Sequence, residues 1–478
     1  MTERRPWLDR RAMALASRLA PLAVALLLAG AYADSFLRPT FAGDQGSRLD
    51  HADKIIVHAG ARLWLPLLQL HIHALYLLHA PIFAYQLVPY AYTVASLFLL
   101  AALCRAAVPD EREALIATLL LMVAFAGSSF NWLGRSLYQE TLVLPLFLGL
   151  IYLHYFAPRR RLVFVLLLAA GMLTREIFWI WWLVYVVLHW RSRLRDGAFR
   201  AGLLGIGLIP VCWLFATQQS PLLARNTPEV TTHLTGLGDR AAALAGVVVS
   251  EFFLVAICCF AAVFAFTRAA RGLSFRSYHI FSLVSLAALY GYILLFDPWY
   301  ATPGNTRALV PLFAHLLFWG VLAWRDAARV SGRIRLASRA LAAVAILSML
   351  KLTAIAGVLV GTSETRATSW EPLHLASSLA PREDWRAALR RVTEPRRAAK
   401  GAPLEIAFVG LTRPEYVKLW VAPFLYDSRA RVGADQIPPT ADVLIVAEGT
   451  RFPKWKSVAR LQINRAEARE ILLPESGS

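Results

Sequence analysis

Long apolar blocks, each bounded by charged residues, constrain this chain more than any other feature. Inside hydrocarbon, blocks of this kind span as helices, because a helix satisfies its own backbone hydrogen bonds. The pattern therefore predicts an α-helical polytopic membrane protein with about eleven transmembrane helices. An apolar run at 19–33 is followed by blocks near 87–104, 114–130, 140–157, 162–174, 178–190, 201–217, 241–266, 278–296, 308–324 and 339–361.

Composition supports the same class and argues against nucleic-acid binding. The chain is 58% hydrophobic and 17% charged, whereas a soluble domain has about 45–50% apolar and about 25% charged residues. Its net charge of +19 comes from arginines in short connections between apolar blocks, which is typical of membrane topology. The four cysteines all lie inside apolar blocks, so no disulfide framework is predicted.

The arginines also predict an orientation. They concentrate in every second connection, as the positive-inside rule requires of cytoplasmic loops. With a cytoplasmic N-terminus, eleven helices would leave the C-terminal part outside. Ala31-Tyr32-Ala33 resembles a signal-peptidase site, so a cleaved first segment is the alternative at that end. The predicted location is the inner (cytoplasmic) membrane of a bacterium.

The composition changes near Thr362, which divides the chain into two predicted domains. Residues 1–361 form the transmembrane domain, with a first outer loop at 34–86. Residues 362–478 form a small extracytoplasmic α/β domain. Within it we expect helices at 384–392 and 414–426, buried strands at 404–410 and 441–448, and a loose end after Glu470.

The first outer loop is the most polar stretch of the chain, and Asp44 lies between two glycines in it. A carboxylate there could act as a general base, or it could only cap a following helix. Asp50 and Asp53 would share one face of a helix over 48–59, where a solvated face is the simpler interpretation.

The same loop is rich in histidine, but the spacing predicts no metal site. No His-Glu-x-x-His pattern occurs, and His71 and His73 are two residues apart, so they do not face one ligand on a helix. Packing at the interface or contact with substrate is expected instead, with His73 as a candidate contact. The sequence names no cofactor and leaves a divalent metal requirement open.

Polar residues recur at the predicted outer ends of the helices. Arg135 and Glu140 flank one junction, and Arg175 and Glu176 form a tight turn at another. Each arginine could pair with its neighbouring acid or bind a phosphate. Arg307 enters a later helix at its N-terminus, where an anion is favoured. The tryptophans after Glu176 are expected in an aromatic belt at the interface.

Glu251 and Lys351 fall inside the predicted helices at 241–266 and 339–361. Charged residues at such positions are costly and are functional candidates. Pairing with each other to hold the bundle is the alternative.

These motifs, in this order, resemble the GT-C membrane glycosyltransferases. The shared outline is a first helix, a long outer loop with Gly43-Asp44 and RLWLPLLQLHIHALY, a polar turn from Arg135 to Glu140, an LTRE turn, and TRALVP at a late helix. The likeness covers roughly residues 15–330. It is nearest to bacterial enzymes similar to the aminoarabinose transferase of lipid A and to protein O-mannosyltransferases.

The resemblance implies transfer of a sugar from a polyprenyl-phosphate donor to an extracytoplasmic glycolipid, lipopolysaccharide, glycan or protein, with inversion. It implies Asp44 as the catalytic acid of the first outer loop. Many members carry a second acid beside it, but the neighbour here is Gln45, so Asp50 is the alternative. By position, Arg175 and Arg307 would bind the donor phosphate. Arg135, Glu140, Glu176 and His73 would line the sugar or acceptor side.

A function of another class is a polytopic secondary transporter or flippase for a lipid-linked or anionic substrate. That class needs broken helices and ionisable residues near the bilayer midplane, ideally in matching repeats. Glu251 and Lys351 match that requirement in part, but the chain shows no repeat and its charge is concentrated in the predicted outer loops.

Overall fold

The structure is a computed structural model that describes most of the chain between residues 6 and 475. The described residues are 6–33, 48–49, 51–59, 62–63, 65–189, 196–216, 236–272, 275–296, 306–351, 355, 385–402, 404–409, 428–434, 440–464 and 467–475. Asp44, Asp50 and the helix predicted at 414–426 lie outside them.

The described chain is mostly helical, and the protein divides into two compact units. The first comprises Met1–Leu37, His58–Leu68 and Gln86–Trp370. The second comprises Arg38–Val57, Gln69–Tyr85 and Glu371–Ser478.

Fifteen α-helices are present among the described residues. They are α1 (Pro6–Ala31), α2 (Pro66–Leu77), α3 (Ile82–Ala107), α4 (Glu111–Ala126), α5 (Glu140–Tyr155), α6 (Arg161–Met172), α7 (Ile177–His189), α8 (Gly197–Ile206), α9 (Leu208–Ala216), α10 (Leu237–Ser250), α11 (Phe253–Arg271), α12 (Arg276–Phe296), α13 (Val310–Arg329), α14 (Gly332–Leu347) and α15 (Trp385–Lys400). Two 3₁₀ turns, Ser129–Gly134 and Thr306–Leu309, precede α5 and α13.

Three described helices are long and apolar enough to cross a membrane, which is consistent with a membrane protein. They are Phe83–Ala107, Arg276–Leu295 and Thr306–Arg329. A fourth span is reached if α10 and α11, which are bent by 74° at their junction, count as one. The other apolar helices are shorter, so the prediction of about eleven transmembrane helices is not confirmed.

Two of the predicted helices are interrupted inside their apolar blocks. The block at 241–266 is interrupted between α10 and α11, and Phe252 at the junction has a left-handed φ of 56°. Such a conformation costs a residue with a side chain about 1–3 kcal/mol. In the block at 339–361, α14 ends at Leu347 and Lys351 is not helical, whereas Ile355 is again helical. Glu251 and Lys351 therefore lie at helix ends, not inside helices as predicted.

Helix α13 is the centre of the first unit. Nearly every residue of it is buried, as expected of a helix surrounded by others. It packs against α4, α5, α11 and α14. Phe313 of α13 stacks on Phe130 at 4.4 Å and on Phe253 at 6.1 Å between ring centroids, so α13 is joined by aromatic contacts to both the first 3₁₀ turn and α11.

The segment between α1 and α3, predicted as the first outer loop, differs from its prediction. The helix expected over 48–59 does not extend over that range: Arg48 and Leu49 are helical, but residues 51–57 turn, and β1 (His58–Ala59) pairs with β2 (Arg62–Leu63) in antiparallel fashion. Helix α2 follows instead. Its Gln69 amide donates to the carbonyls of Arg48, at 3.1 Å, and His51, at 2.8 Å, which fixes the turn of the loop.

The C-terminal part contains a five-stranded mixed sheet with the order β4-β3-β5-β7-β6. Its strands are β3 (Leu404–Val409), β4 (Ser428–Ala434), β5 (Val443–Ala447), β6 (Trp455–Asn464) and β7 (Glu467–Pro474). Strands β3, β4 and β5 are parallel, and β7 pairs antiparallel with both β5 and β6.

The predicted strands β3 and β5 and the helix α15 are confirmed in this sheet domain. The hydrophobic core of the sheet is formed by Ala407, Val409, Leu444, Val446 and Leu472. The expectation of a loose end after Glu470 is wrong, because β7 continues to Pro474. The β6–β7 hairpin carries many charged residues, and so it lacks the continuous apolar run that identified the central strands.

Candidate functional site

Three short polar segments at helix ends form the candidate site. The first is the turn between α6 and α7. Arg175 lies in it, and its N–H donates to the carbonyl of Gly171 at 3.1 Å. A side chain at Gly171 would meet Phe178, since an added Cβ would lie 2.4 Å from Phe178 Cδ1. Glycine therefore allows the turn to close tightly. The predicted polar turn at Arg175 and Glu176 is confirmed.

The second segment leads from the 3₁₀ turn Ser129–Gly134 to Glu140, the first residue of α5. It is almost wholly buried. The Thr141 hydroxyl lies 2.8 Å from the carbonyl of Ser136 and 3.0 Å from that of Leu133. The Gln139 amide donates to the carbonyl of Leu65 at 3.1 Å. These hydrogen bonds replace regular backbone pairing and hold Glu140 in place.

The third segment is the 3₁₀ turn Thr306–Leu309, which carries Arg307 and leads into α13. The hydroxyl of Tyr290, on α12, donates to the carbonyl of Ala308 at 3.2 Å. This bond attaches the turn to the end of α12, so it holds the backbone at Arg307 in place.

The side chains of these three segments converge on one carboxylate. Arg307 donates to Glu140 Oε1 through both Nε, at 3.1 Å, and an η nitrogen, at 2.9 Å. Arg175 approaches the same oxygen at 3.6 Å and donates to Gln139 Oε1 at 3.4 Å. Residues 140, 175 and 307 are distant in sequence, so only the tertiary fold brings them together.

Burial makes this cluster electrostatically strong. The Glu140 side chain is 3% exposed, and those of Arg175 and Arg307 are 17% and 19% exposed. Charges so far from water are tolerated only when they are paired. Two guanidinium groups share one buried carboxylate, which leaves an excess of one positive charge. Glu176 lies 3.8 Å from Arg175 and is 42% exposed, so water screens its charge.

An open cleft of about 460 Å³ lies against this cluster. The charged groups occupy one part of the wall, and apolar side chains of α5, α7, α12 and α13 form the rest. The lining residues are Glu140, Val143, Arg175, Glu176, Ile177, Leu289, Tyr292, Ile293, Arg307, Ala308, Val310 and Pro311.

A second cavity, of about 430 Å³, is lined by α5, α7 and α12 further along their length and by α6. Its wall is almost entirely apolar or aromatic, with three polar groups that are buried, His154, Tyr185 and His189. His154 Nδ1 and the Tyr185 hydroxyl are 2.9 Å apart. The lining residues are Phe147, Leu150, Ile151, His154, Tyr155, Phe164, Leu168, Trp181, Tyr185, His189 and Phe281.

The cleft and the aromatic cavity follow one another along single helix faces. On α5, the lining residues run from Glu140 and Val143 in the cleft to Phe147 and His154 in the cavity. Their spacing of three, four or seven residues places them on one face. Fourteen residues of helix correspond to roughly 21 Å. On α7, Ile177 lines the cleft and Trp181, Tyr185 and His189 line the cavity.

The other predicted site residues have different positions. Arg135 ends the first 3₁₀ turn, its carbonyl accepts a hydrogen bond from Gln86, and it is not among the described residues that line the cleft. His73, on α2 and in the second unit, has its Nδ1 2.9 Å from the carbonyl of Ala52. The catalytic candidates Asp44 and Asp50 lie outside the described residues, and their roles stay predictions.

Sequence reasoning missed three contributors to the site. Tyr138 lies beneath Arg307, whose guanidinium carbon is 4.4 Å from the ring centroid, an attractive cation–π distance. Gln139 accepts a hydrogen bond from Arg175. Trp181, expected in the interfacial belt, is 3% exposed and lines the aromatic cavity. Its four-residue spacing from Ile177 and Tyr185 was the available signal.

Within the described ranges, no group of three or more His, Cys, Asp or Glu side chains is close enough to hold a metal ion. Comparison of the chain with protein families, with curated proteins and with solved structures finds no match.

The cluster predicts unequal effects from two similar substitutions. Glu140→Gln should destabilise the protein by about 3–5 kcal/mol, because it leaves two poorly solvated arginines without their shared counter-ion. Glu176→Gln, the matched control beside Arg175, should cost about 0–1 kcal/mol because its ion pair is solvated. Unfolding of both variants in one detergent measures the difference. Equal, small losses would contradict the assigned role of Glu140.

Proposed function

We propose that this protein is a GT-C-type membrane glycosyltransferase. In this proposal it moves a sugar from a polyprenyl-phosphate donor to an extracytoplasmic glycolipid, lipopolysaccharide, glycan or protein, with inversion. The observation that carries the proposal is the convergence of Arg175 and Arg307 beside a cleft. Guanidinium groups bind phosphate through several parallel hydrogen bonds, and the buried groups Glu140, Arg175 and Arg307 together have one positive charge in excess.

The aromatic cavity supports a donor in which the sugar is linked to a lipid. A lipid-linked sugar has its phosphate at the headgroup level and a long apolar chain beside it. A charged cleft with an apolar cavity further along the same helices matches that amphipathic shape, since apolar chains gain free energy from burial against apolar walls.

The reaction divides between the arginines and an acid of the first outer loop. The acceptor hydroxyl oxygen attacks the anomeric carbon from the face opposite the phosphate, which produces inversion. The Asp44 carboxylate takes the hydroxyl proton, with Asp50 as the alternative base. The bond from the anomeric carbon to the phosphate oxygen breaks, and polyprenyl phosphate leaves. Arg175 and Arg307 stabilise the negative charge that develops on the leaving group.

The contacts of Glu140 support an orienting role rather than direct contact with the sugar. Its buried carboxylate contacts the guanidinium groups of both arginines, so it holds those groups in the wall of the cleft. Glu176 lines the cleft and is more exposed, which suits contact with the sugar or the acceptor. Similar roles for Arg135 and His73 stay predictions, as does the acceptor itself.

The proposal includes the topology of the chain. It has about eleven membrane segments, with the N-terminus in the cytoplasm, the C-terminal sheet domain outside and the inner membrane of a bacterium as the location. The cleft lies where α5 and α13 begin, where α6 ends and close to the end of α12. These are the helix ends that the distribution of arginine assigns to the outer face, where a lipid headgroup would be accessible.

The alternative is a secondary transporter or flippase, and one observation favours it. Helices α10 and α11 form a broken pair with the buried Glu251 at the break, a feature of transporter sites. However, both oxygens of Glu251 receive hydrogen bonds from the protein itself, from Lys351 and Ser129. Substrate movement across proteoliposomes without sugar transfer would favour this alternative.

The direct test of the function is transfer by the purified protein from a panel of polyprenyl-phosphate sugars. We expect Asp44→Asn to fold and insert normally and to lose transfer, because an amide cannot accept the hydroxyl proton. Asp53→Asn, an exposed acid of the same loop, is the control and should retain activity. Full activity in Asp44→Asn would move the role to Asp50 or remove it from this loop.

The aromatic cavity predicts a dependence on lipid chain length. Leu168→Trp should fill part of the cavity and weaken binding of a long-chain prenyl phosphate, while binding of a short-chain analogue changes little. Leu162→Trp, on the same helix but 71% exposed, is the matched control. Equilibrium binding with both lipids measures the effect. Equal weakening for short and long chains would show that the cavity does not hold the chain.

A further inference from the structure

Glu251 connects three breaks in the helical structure. Its Oε1 accepts a hydrogen bond from Lys351 Nζ, and its Oε2 accepts one from the Ser129 hydroxyl, each at 2.5 Å. Glu251 itself lies at the junction of α10 and α11, Ser129 begins the first 3₁₀ turn, and Lys351 follows the end of α14. The Lys351 N–H also donates to the carbonyl of Gly127 at 2.8 Å.

The carboxylate at the centre of this cluster is buried, whereas the Lys351 side chain is 26% exposed. Glu251 and Ser129 are each 3% exposed. Phe130 and Phe253, which are close to them in sequence, stack with their ring centroids 5.7 Å apart. A carboxylate in such surroundings is stable only with its partners in place. Displacing Glu251 therefore means displacing the segments that hold it.

One of those segments carries Glu140. The 3₁₀ turn that begins at Ser129 continues through residues 135–139, which are largely buried, to Glu140. Its internal hydrogen bonds make it a compact, connected segment. A shift of Ser129 is consequently transmitted toward the Glu140 carboxylate.

The other segment packs against the turn that carries Arg307. Helix α10 ends just before Glu251 and contacts both the turn Thr306–Leu309 and helix α12. Near its start, Arg240 donates to the carbonyl of Leu294, in the last turn of α12, at 2.9 Å. Arg240 therefore attaches the start of α10 to α12, and Glu251 attaches its end to Ser129. Between these two points α10 packs against the turn that carries Arg307.

We infer that Glu251 is a positioning residue that fixes where Glu140 and Arg307 lie relative to each other. It bonds to the segment that leads to Glu140 and ends the helix that packs on the Arg307 turn, so it acts on both residues through the elements that carry them. The role in phosphate binding rests on the proposed function, whereas the mechanical coupling to the Glu140–Arg307 pair does not.

The first experiment needs no ligand. The melting temperature is measured for Glu251→Gln, Glu140→Gln and the double variant in one detergent. If Glu251 positions the Glu140–Arg307 pair, Glu140→Gln should lower the melting temperature less in the Glu251→Gln background, because that ion pair is already disturbed. Distant, independent sites give additive losses, and additive losses here would overturn the inference.

Glu113→Gln is the matched control. Glu113 is also a largely buried carboxylate that bonds to a basic side chain, Arg339, and to Trp324 Nε1 at 3.1 Å, but it lies at the start of α4, at the opposite end of that helix from Ser129. Its loss should add to that of Glu140→Gln. Ser129→Ala removes only one hydroxyl from the Glu251 cluster, so it replaces Glu251→Gln in the cycle if that variant does not fold.

The second experiment uses dodecyl phosphate as the probe. Glu251→Gln and Ser129→Ala should weaken its binding by roughly threefold to thirtyfold, while Glu113→Gln at a similar melting temperature should not. A purely structural role would weaken binding equally in all three and would overturn the inference. Absence of binding to the unmodified protein would instead contradict the proposed function, and the stability cycle would still decide the role of Glu251.

Discussion

A buried carboxylate between two guanidinium groups is the interaction on which the cleft depends. Glu140 accepts two hydrogen bonds from Arg307 and draws Arg175 to the same oxygen. Removing these charges from water is costly, so the fold has to deliver all three together. The tight turn at Gly171, the hydrogen bonds before α5 and the link from Tyr290 to the Arg307 turn each serve that requirement.

The helical scaffold explains how such a charged group is held beside apolar walls. Helix α13 is surrounded by α4, α5, α11 and α14, so its start cannot move freely. Polar residues occupy the points where helices end, and the faces between those points are apolar. The result is a site whose charged cleft and aromatic cavity are both lined by α5, α7 and α12. This arrangement suits an amphipathic ligand better than a wholly polar one.

Part of this arrangement could be predicted from the sequence. Charge boundaries located the Arg175 turn, and continuous apolar runs located β3 and β5, because both signals are local. The position of Arg175 and Arg307 at helix ends was also foreseen. Their meeting on Glu140 was not, since nothing local indicates which of several polar turns approach one another.

Other features were hidden for physical reasons. The break at Glu251 lies inside an apolar block without proline, and the residues that bond to Glu251 there, Ser129 and Lys351, are distant in sequence. The number of spanning helices is not confirmed because an apolar block does not show how long or straight its helix is. The hairpin of β6 and β7 carries many charged residues, so it resembled a loop.

The most direct measurement of the central claim is an experimental density map of the protein with dodecyl phosphate bound. We expect phosphate density within hydrogen-bond distance of Arg175 and Arg307, with Glu140 still in contact with at least one of them and the alkyl chain directed along α5 toward Phe147. Phosphate density at another site, with both arginines unchanged against Glu140, would contradict it.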